Sequence, residues 1–323
     1  MQYKRRVFLT NQPLMDNVSI NGIVEIVGVS DMGSSGAVDG GRKLRVLRDG
    51  VPEWGEREGE EIVFDSGERI PEADAHYLAP VEPTKIIAVH LTYLSRVEEY
   101  AASTPPQPSY FLKPPTTLAG HRGSVRRPRG TRFLNYEGEL AAVVGRRMKR
   151  VPVEETLSYV AGYTCANDIG LHDFRHADRG SMLRVKGQDG FLPLGPEIAP
   201  ASEFDPEDFT LRTYLNGEVV QEGGSGDLIF SVAYQLADLC RLITLEPGDV
   251  VLTGTPANSR PMEPGDVVEV EIEGIGRLSN TVEEWDVDLS GPGEQPETSA
   301  NTLHVALAIP EDEAERMAAE ESG

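Results

Sequence analysis

Three carboxylates stand where a hard cation could be gripped. Glu137 and Glu139 lie two apart at the head of the run 139–145 (Glu-Leu-Ala-Ala-Val-Val-Gly), which reads as a strand. Alternation along a strand puts both carboxylates on one face. The apolar residues that follow carry the strand into a core. Side by side at a core boundary, the two groups repel each other and lose solvation, and a bound divalent cation removes that cost. Asp168 follows a second apolar stretch, Tyr163 to Ala166. Three carboxylates without His or Cys make an all-oxygen site that suits magnesium, manganese or calcium over zinc. A solvated strand face is the plainer reading of Glu137 and Glu139, and it stays open at this point.

Other reactive side chains carry less. His172 and His176 are four apart, a spacing zinc sites use on helices, but no HExxH pattern surrounds them and loop hydrogen bonding is the expectation. Cys165 sits in an apolar run and reads as a structural buried thiol. The chain has no G-x-S-x-G, no P-loop and no G-x-G-x-x-G. Arg122, Arg126, Arg127 and Arg129 lie between Pro and Gly and read as a solvated loop, at a dimer surface or free.

The elements that must position these groups are mostly strands. Ile86 to Val89 is a buried strand candidate, and a short helix is expected over Tyr93 to Ala102 before Pro105-Pro106. Pro152 opens a helix with Val153, Thr156, Leu157 and Val160 on one face. The stretch 211–221 is a hairpin turning at Asn216-Gly217. Residues 228–243 are apolar at helical spacing, with Asp227 as N-cap. Strands are expected at 249–253, 266–273 and 279–284, and Pro-Gly-Asp-Val occurs twice, at 247–250 and 264–267, as two tight turns. Val24 to Val29 is a β-rich run and 33–36 a loop. The total is strand-rich α+β. It divides into a small N-terminal β-rich domain (1–80), a main domain (81–285) and an acidic, mobile tail (286–323) with a short helix over 311–321.

Composition narrows the function. The chain has 323 residues, a net charge of −23 and six lysines. The Lys/Arg patch that nucleic-acid binding requires is absent, and anionic membrane surfaces are disfavoured. The acidity fits a solvated surface or a salty cytoplasm. Two cysteines without a CxxC fit a reducing cytoplasm. The apolar run after the basic start stops at Thr10-Asn11-Gln12-Pro13, too short for a secretory leader, and no stretch has the ~20 apolar residues of a membrane span.

The ordered strings point to a family. They include Phe111-Leu112-Lys113-Pro114, Asn135-Tyr136-Glu137-Gly138-Glu139-Leu140-Ala141, Gly162-Tyr163-Thr164 with Asn167-Asp168, and Val185-Lys186-Gly187. Asn216-Gly217-Glu218 and Val251-Leu252-Thr253-Gly254-Thr255-Pro256 continue them. Over roughly 84–284 the sequence resembles the fumarylacetoacetate hydrolase family. Residues 170–175 and 181–187 resemble most its 2-hydroxyhepta-2,4-diene-1,7-dioate isomerase and 5-oxopent-3-ene-1,2,5-tricarboxylate decarboxylase branch, which acts on aromatic ring-cleavage products.

The resemblance implies a mixed β-roll with flanking helices, a cytoplasmic homodimer, and Glu137, Glu139 and Asp168 as ligands of Mg2+ or Mn2+. It implies Lys186 near the 2-oxo end of the substrate, Thr253 and Thr255 bordering the substrate, and Lys113 meeting a substrate carboxylate. The reaction would run through an enolate whose charge the cation holds. Members of the family often carry a His and a Glu three apart on a lid helix. Here Arg96 stands at the His position and Glu99 at the Glu position, with His90 as a substitute. A guanidinium is no base at neutral pH, so Arg96 is expected to bind a second carboxylate, as is Arg175, whose plainer role is a salt bridge to Asp173 or Asp178. That shifts the expectation from carbon–carbon hydrolysis to isomerisation or decarboxylation of a 2-oxo or 2-hydroxydienoic di- or tricarboxylate. The hydrolase, and a non-catalytic metabolite-binding protein on the same fold, are the alternatives.

Overall fold

Seven strands form the central sheet, in the order Ser109–Lys113, Ile86–His90, Val250–Leu252, Gly138–Val144, Val160–Asn167, Leu192–Pro200 and Leu118–Ala119. The computed structural model describes residues 41–178 and 180–321. The expected run at 24–29, the loop at 33–36 and the basic start lie outside the described residues. The sheet is mixed: Val250–Leu252 runs parallel to Ile86–His90, and Gly138–Val144 is antiparallel to both of its neighbours.

All seven residues of Gly138–Val144 are buried, which explains an apolar run without polar alternation. Ala141 and Val143 join one core cluster and Leu140, Ala142 and Val144 another. Each such buried aliphatic side chain contributes about 1.5–3 kcal/mol over exposure, with less for Ala. Gly138 is required at the head of the strand, because a Cβ there would stand 2.1 Å from Thr213 Oγ1.

A second sheet orders Glu218–Gly224, Thr210–Leu215, Val267–Ile272, Gly276–Trp285 and Ser124–Pro128. Its Asn216-Gly217 turn has φ of 53° and 85°, the two positive values that a tight hairpin needs. The expected arginine loop is instead a strand, Ser124–Pro128, pairing parallel with Gly276–Trp285. Arg127 within it binds Glu263, and Arg129 just after it binds Glu284. Residues 44–78 form a third, five-stranded sheet around Leu44, Val46, Ile62, Phe64 and Tyr77. The architecture is α+β and strand-rich.

Helices are short. The lid segment is helical over Leu94–Glu99, and Val153–Tyr159 is a tight 3-10 helix. The expected helix at 228–243 spans Val232–Leu242, capped by Ser231 accepting from Tyr234 N rather than by Asp227. Asp227 instead accepts from Ser95 N and Ser95 Oγ, tying down the lid helix. The helix expected over 311–321 is Glu311–Glu321, and Ala300–Leu307, expected as free tail, is a further helix. Leu303, Ala306 and Ala314 pack with Phe133 in a small cluster of their own. Among the described residues no helix is long and apolar enough to cross a membrane.

Candidate active site

Antiparallel pairing brings the three carboxylates together. Gly138 faces Asn167 and Glu139 faces Ala166 across the ladder. The pairing runs one step further at each end. Asp168 N donates to Glu137 O (2.8 Å), and Asn167 Oδ1 accepts from Glu137 N (2.8 Å). Oxygens of Glu137, Glu139 and Asp168 all lie within 4.8 Å of one another, the only such group of candidate metal ligands among the described residues.

Their partners are unequal. Asp168 is held by Lys113 Nζ at 2.5 Å and Lys186 Nζ at 3.3 Å. Burial would raise its carboxyl, but the two ammonium charges outweigh it and hold the group below the usual carboxylate range. Lys186 Nζ also donates to Glu137 Oε2 and to Asp168 O, each at 2.6 Å. Burial would lower Lys186; the charges of Asp168 and Glu137 keep it above its ordinary value. Glu139 differs. It is 2% exposed, and among the described residues its carboxylate accepts one hydrogen bond, from Gly254 N (2.7 Å). Gly254 reaches it with φ of +98°, where a Cβ would stand 1.9 Å from Thr92 Oγ1. Burial first, then the charges of Asp168 and Glu137, push Glu139 well above the carboxylate range. Among the described residues Glu139 makes no ion pair of its own, and the more distant charge of Lys186 offsets burial and the two neighbouring carboxylates only in part. A divalent cation among these oxygens fits that deficit and the donor set.

The triad forms one wall of a cavity of about 610 Å³, which Lys186, Arg96, Arg175 and Thr255 also line. Arg96 is buried, 2.6 Å from Glu99 Oε2 and 3.7 Å from Glu137 Oε1, with its guanidinium 4.4 Å from the Tyr100 ring centre. Arg175 makes neither expected salt bridge. Asp173 accepts from the N–H groups of Arg132 and Phe133, and Asp178 from those of Arg184 and Val185. Among the described residues the only hydrogen bond of Arg175 goes to Met182 Sδ (3.2 Å). Burial, before any neighbouring charge, lowers its affinity for a proton, and the guanidinium faces the cavity without a carboxylate.

Three expected site residues stand off the cavity. Lys113 spends its three N–H groups on Asp168 Oδ1, Lys186 O and Phe191 O, and it is not among the residues that line the cavity. Thr253 Oγ1 donates to Leu140 O (2.9 Å) and is fully buried. Glu99 sits behind Arg96, shared with Arg260 and the Asn258 N–H. Thr255 does line the cavity, accepting from Gln221 Nε2 (3.0 Å). His90 lines it too, its ring 4.6 Å from Phe111; burial, then Arg175 and Lys186, push it down to about 4. Cys165 is buried and its thiol pushed up to about 12 by burial, which makes it inert.

Sequence reasoning missed several lining groups. Tyr100, His304, Val305 and Glu311 complete the wall beyond Arg96. Nothing near 304–311 has a motif, and only the tail's packing reveals it. His172, expected in a loop hydrogen bond, has no partner for either ring nitrogen among the described residues.

Residues 85–283 match the model of the fumarylacetoacetate (FAA) hydrolase C-terminal family. The chain belongs to the fumarylacetoacetate hydrolase family. A 4-hydroxyphenylacetate degradation bifunctional isomerase/decarboxylase of Salmonella dublin is 36% identical over 244 residues. That match covers 75% of this chain and 55% of the relative, so the chain spans about half the length of that protein. Among solved structures, 5-carboxymethyl-2-hydroxymuconate delta-isomerase from Mycobacterium smegmatis aligns with a TM-score of 0.68 at 35% identity, over 76% of this chain and all of that one. The 2-hydroxyhepta-2,4-diene-1,7-dioate isomerase of Mycobacterium marinum aligns with a TM-score of 0.66 at 34% identity, over 75% and 98%. The family match holds the triad, Lys186 and Arg175, whereas His304, Val305 and Glu311 lie beyond its last residue.

Proposed function

We propose that this member of the fumarylacetoacetate hydrolase family is a divalent-metal-dependent isomerase or decarboxylase of a small 2-oxo or 2-hydroxydienoic dicarboxylate. One observation carries the reading. Among the described residues Glu139 is a buried carboxylate with no ion pair of its own, within 4.8 Å of Glu137 and Asp168 and lining a cavity that also holds Arg175, whose guanidinium meets Met182 Sδ but no carboxylate. Glu137, Glu139 and Asp168 would hold Mg2+ or Mn2+, which supplies the Lewis acidity that draws charge onto a 2-oxygen.

The chain's own residues do the rest. Lys186 Nζ, fixed by Glu137 Oε2 and Asp168 O, presents a second positive charge where negative charge grows on the substrate oxygen. Arg175 seats the distant carboxylate, and Arg96 closes the same wall. A guanidinium that meets no protein carboxylate among the described residues, in the same cavity as the triad, suits a substrate with a second carboxylate. The names of the relatives point the same way, since a 1,7-dioate carries one at each end. Lys113 holds Asp168 in place from behind. Arg96 gives the lid no base for activating water, which favours isomerisation or decarboxylation over hydrolysis. The reading includes a cytoplasmic homodimer.

The test is a screen of 2-oxo and dienoic di- and tricarboxylates with Mg2+ or Mn2+ present, following carbon dioxide release and dienol absorbance. Turnover that chelator removes and either ion restores is expected. Absence of metal-dependent turnover on every member, or Mn2+ binding unchanged in Glu139→Ala, overturns the reading.

A further inference from the structure

The cavity wall contains an imidazole that no hydrogen-bonding group among the described residues engages. His172 is 1% exposed and lines the cavity, and neither Nδ1 nor Nε2 has a hydrogen-bond partner. Its backbone is fixed, with His172 N donating to Phe133 O at 2.8 Å. An unpaired buried polar group is costly to a fold, and such groups in folded proteins have a reason.

The surroundings supply one. A Cβ on Gly170 would lie 3.2 Å from Lys186 Nζ and 3.3 Å from His172 Nε2. The missing side chain therefore lets both nitrogens converge on one small region. The charges that act on the ring come from Arg175, Lys186 and Arg96, and after burial itself they hold it neutral, far below the ordinary imidazole range. A neutral ring thus sits among the three cations that would hold the two ends and the 2-oxygen of a dicarboxylate. Its rivals are differently placed. Arg96 cannot take a proton at neutral pH. His304 Nδ1 is bound to Ile309 O at 2.6 Å. His90 packs its ring on Phe111.

We infer that His172 is the catalytic residue that moves the substrate's carbon-bound proton, an inference that rests on the metal-dependent reading above. A ring nitrogen takes the proton from carbon 3 of the 2-oxo acid. The carbon–hydrogen pair becomes the C2–C3 double bond, and the carbonyl π pair moves to the 2-oxygen. Return of a proton from the ring to carbon, at position 3 or at the far end of a conjugated diene, restores the imidazole and completes the isomerisation. Two free nitrogens let the neutral ring accept at one and donate at the other.

The experiment uses the full-length protein with Mg2+ in D2O, following deuterium entry at carbon 3 of oxaloacetate, 2-oxoglutarate and 2-oxoadipate by proton NMR. His172→Asn removes no protein hydrogen bond, so Mn2+ binding and melting temperature are expected to match wild type. Its exchange rate is expected to fall by about 100-fold or more, the usual scale of general acid–base catalysis, with KM within about threefold. His172→Gln is the second variant if Asn lowers the melting temperature. Exchange retained within about threefold in a folded, Mn2+-binding His172 variant overturns the inference and leaves the metal-dependent reading standing. Loss in His90→Asn with His172→Asn unaffected overturns it too. Wild-type protein that exchanges none of the three acids overturns the enolising reading itself, and the role of His172 with it.

Discussion

The cavity has two walls built in opposite ways. The triad wall comes from paired strands inside the largest cores. Glu139 lies between the fully buried Gly138 and Leu140, and the ladder with Val160–Asn167 fixes where each carboxylate points. The far wall, with His304, Val305 and Glu311, comes from two short helices beyond the family match. A few contacts hold it: Tyr100 Oη to Val305 O (3.0 Å), Asn135 Nδ2 to Ala306 O (2.8 Å), Glu297 N to Asp173 O (2.8 Å), and the cluster around Phe133. The difference teaches where each job is placed. Groups that must hold a position against strong repulsion sit where local unfolding costs nearly the whole stability of the fold. The wall that only shapes the cavity sits on a small satellite core, which opens more readily.

The comparison breaks first at Glu139. Glu139→Gln is expected to lower metal-dependent turnover by roughly a thousandfold, the several kcal/mol a metal ion supplies. The same substitution is expected to leave the metal-free protein as stable as wild type or more so, because it removes a repelled, buried charge. Calorimetric Mn2+ titration and melting curves of the chelated protein measure both. A metal-free variant that melts well below wild type would mean that Glu139 is structural.

Lys113→Met tests whether the triad wall depends on buried charge behind it. Breaking a buried pair costs about 3–5 kcal/mol, so urea unfolding should show a loss of that size and not only a change in KM. Arg175→Met sharpens the contrast within the cavity. KM for a 2-oxo dicarboxylate is expected to rise about tenfold to a hundredfold, the worth of a hydrogen bond to a charged group, while a 2-oxo monocarboxylate such as pyruvate is unaffected.

Acid should weaken the triad side through His90. Its folded proton affinity, pushed down to about 4, is below the ordinary imidazole value near 6.5. The unfolded chain therefore binds the extra proton first. The contribution is complete above about pH 6.5 and is lost as pH falls from there toward 4. His90→Asn should flatten that part of a curve of stability against pH, and an unchanged slope counts against it. The smallest effect is on the far wall. Tyr100→Phe removes the bond to Val305 O and should cost about 1 kcal/mol. Hydrogen exchange should quicken over 300–307 and stay unchanged over 138–144.

What was legible in the sequence was local. Period-two spacing put Glu137 and Glu139 at the head of one strand, Asn216-Gly217 marked its hairpin, and the apolar spacing of 228–243 marked the helix that spans Val232–Leu242, although its cap was misassigned. The acidic tail misled because charge and Pro/Gly content suggest solvation, whereas Leu303 and Ala306 are too few to show as a pattern and bury only because Phe133 waits for them. Lys113 misled because a lone lysine in a motif looks free until its three acceptors are seen.

By itself the chain's order of residues determined a strand-rich fold, an all-oxygen set of three acids and the family-like strings around them, since backbone alternation, turn chemistry and residue type are properties of neighbours. Only the tertiary structure decided that Asp168 closes on Glu137, that among the described residues Glu139 makes no ion pair, that Arg175 faces the cavity without a carboxylate and His172 without a hydrogen-bond partner, and that residues past 300 form its far wall. Those outcomes join groups tens to more than a hundred residues apart, and which of several possible partners a buried charge finds is settled by packing, not by spacing along the chain.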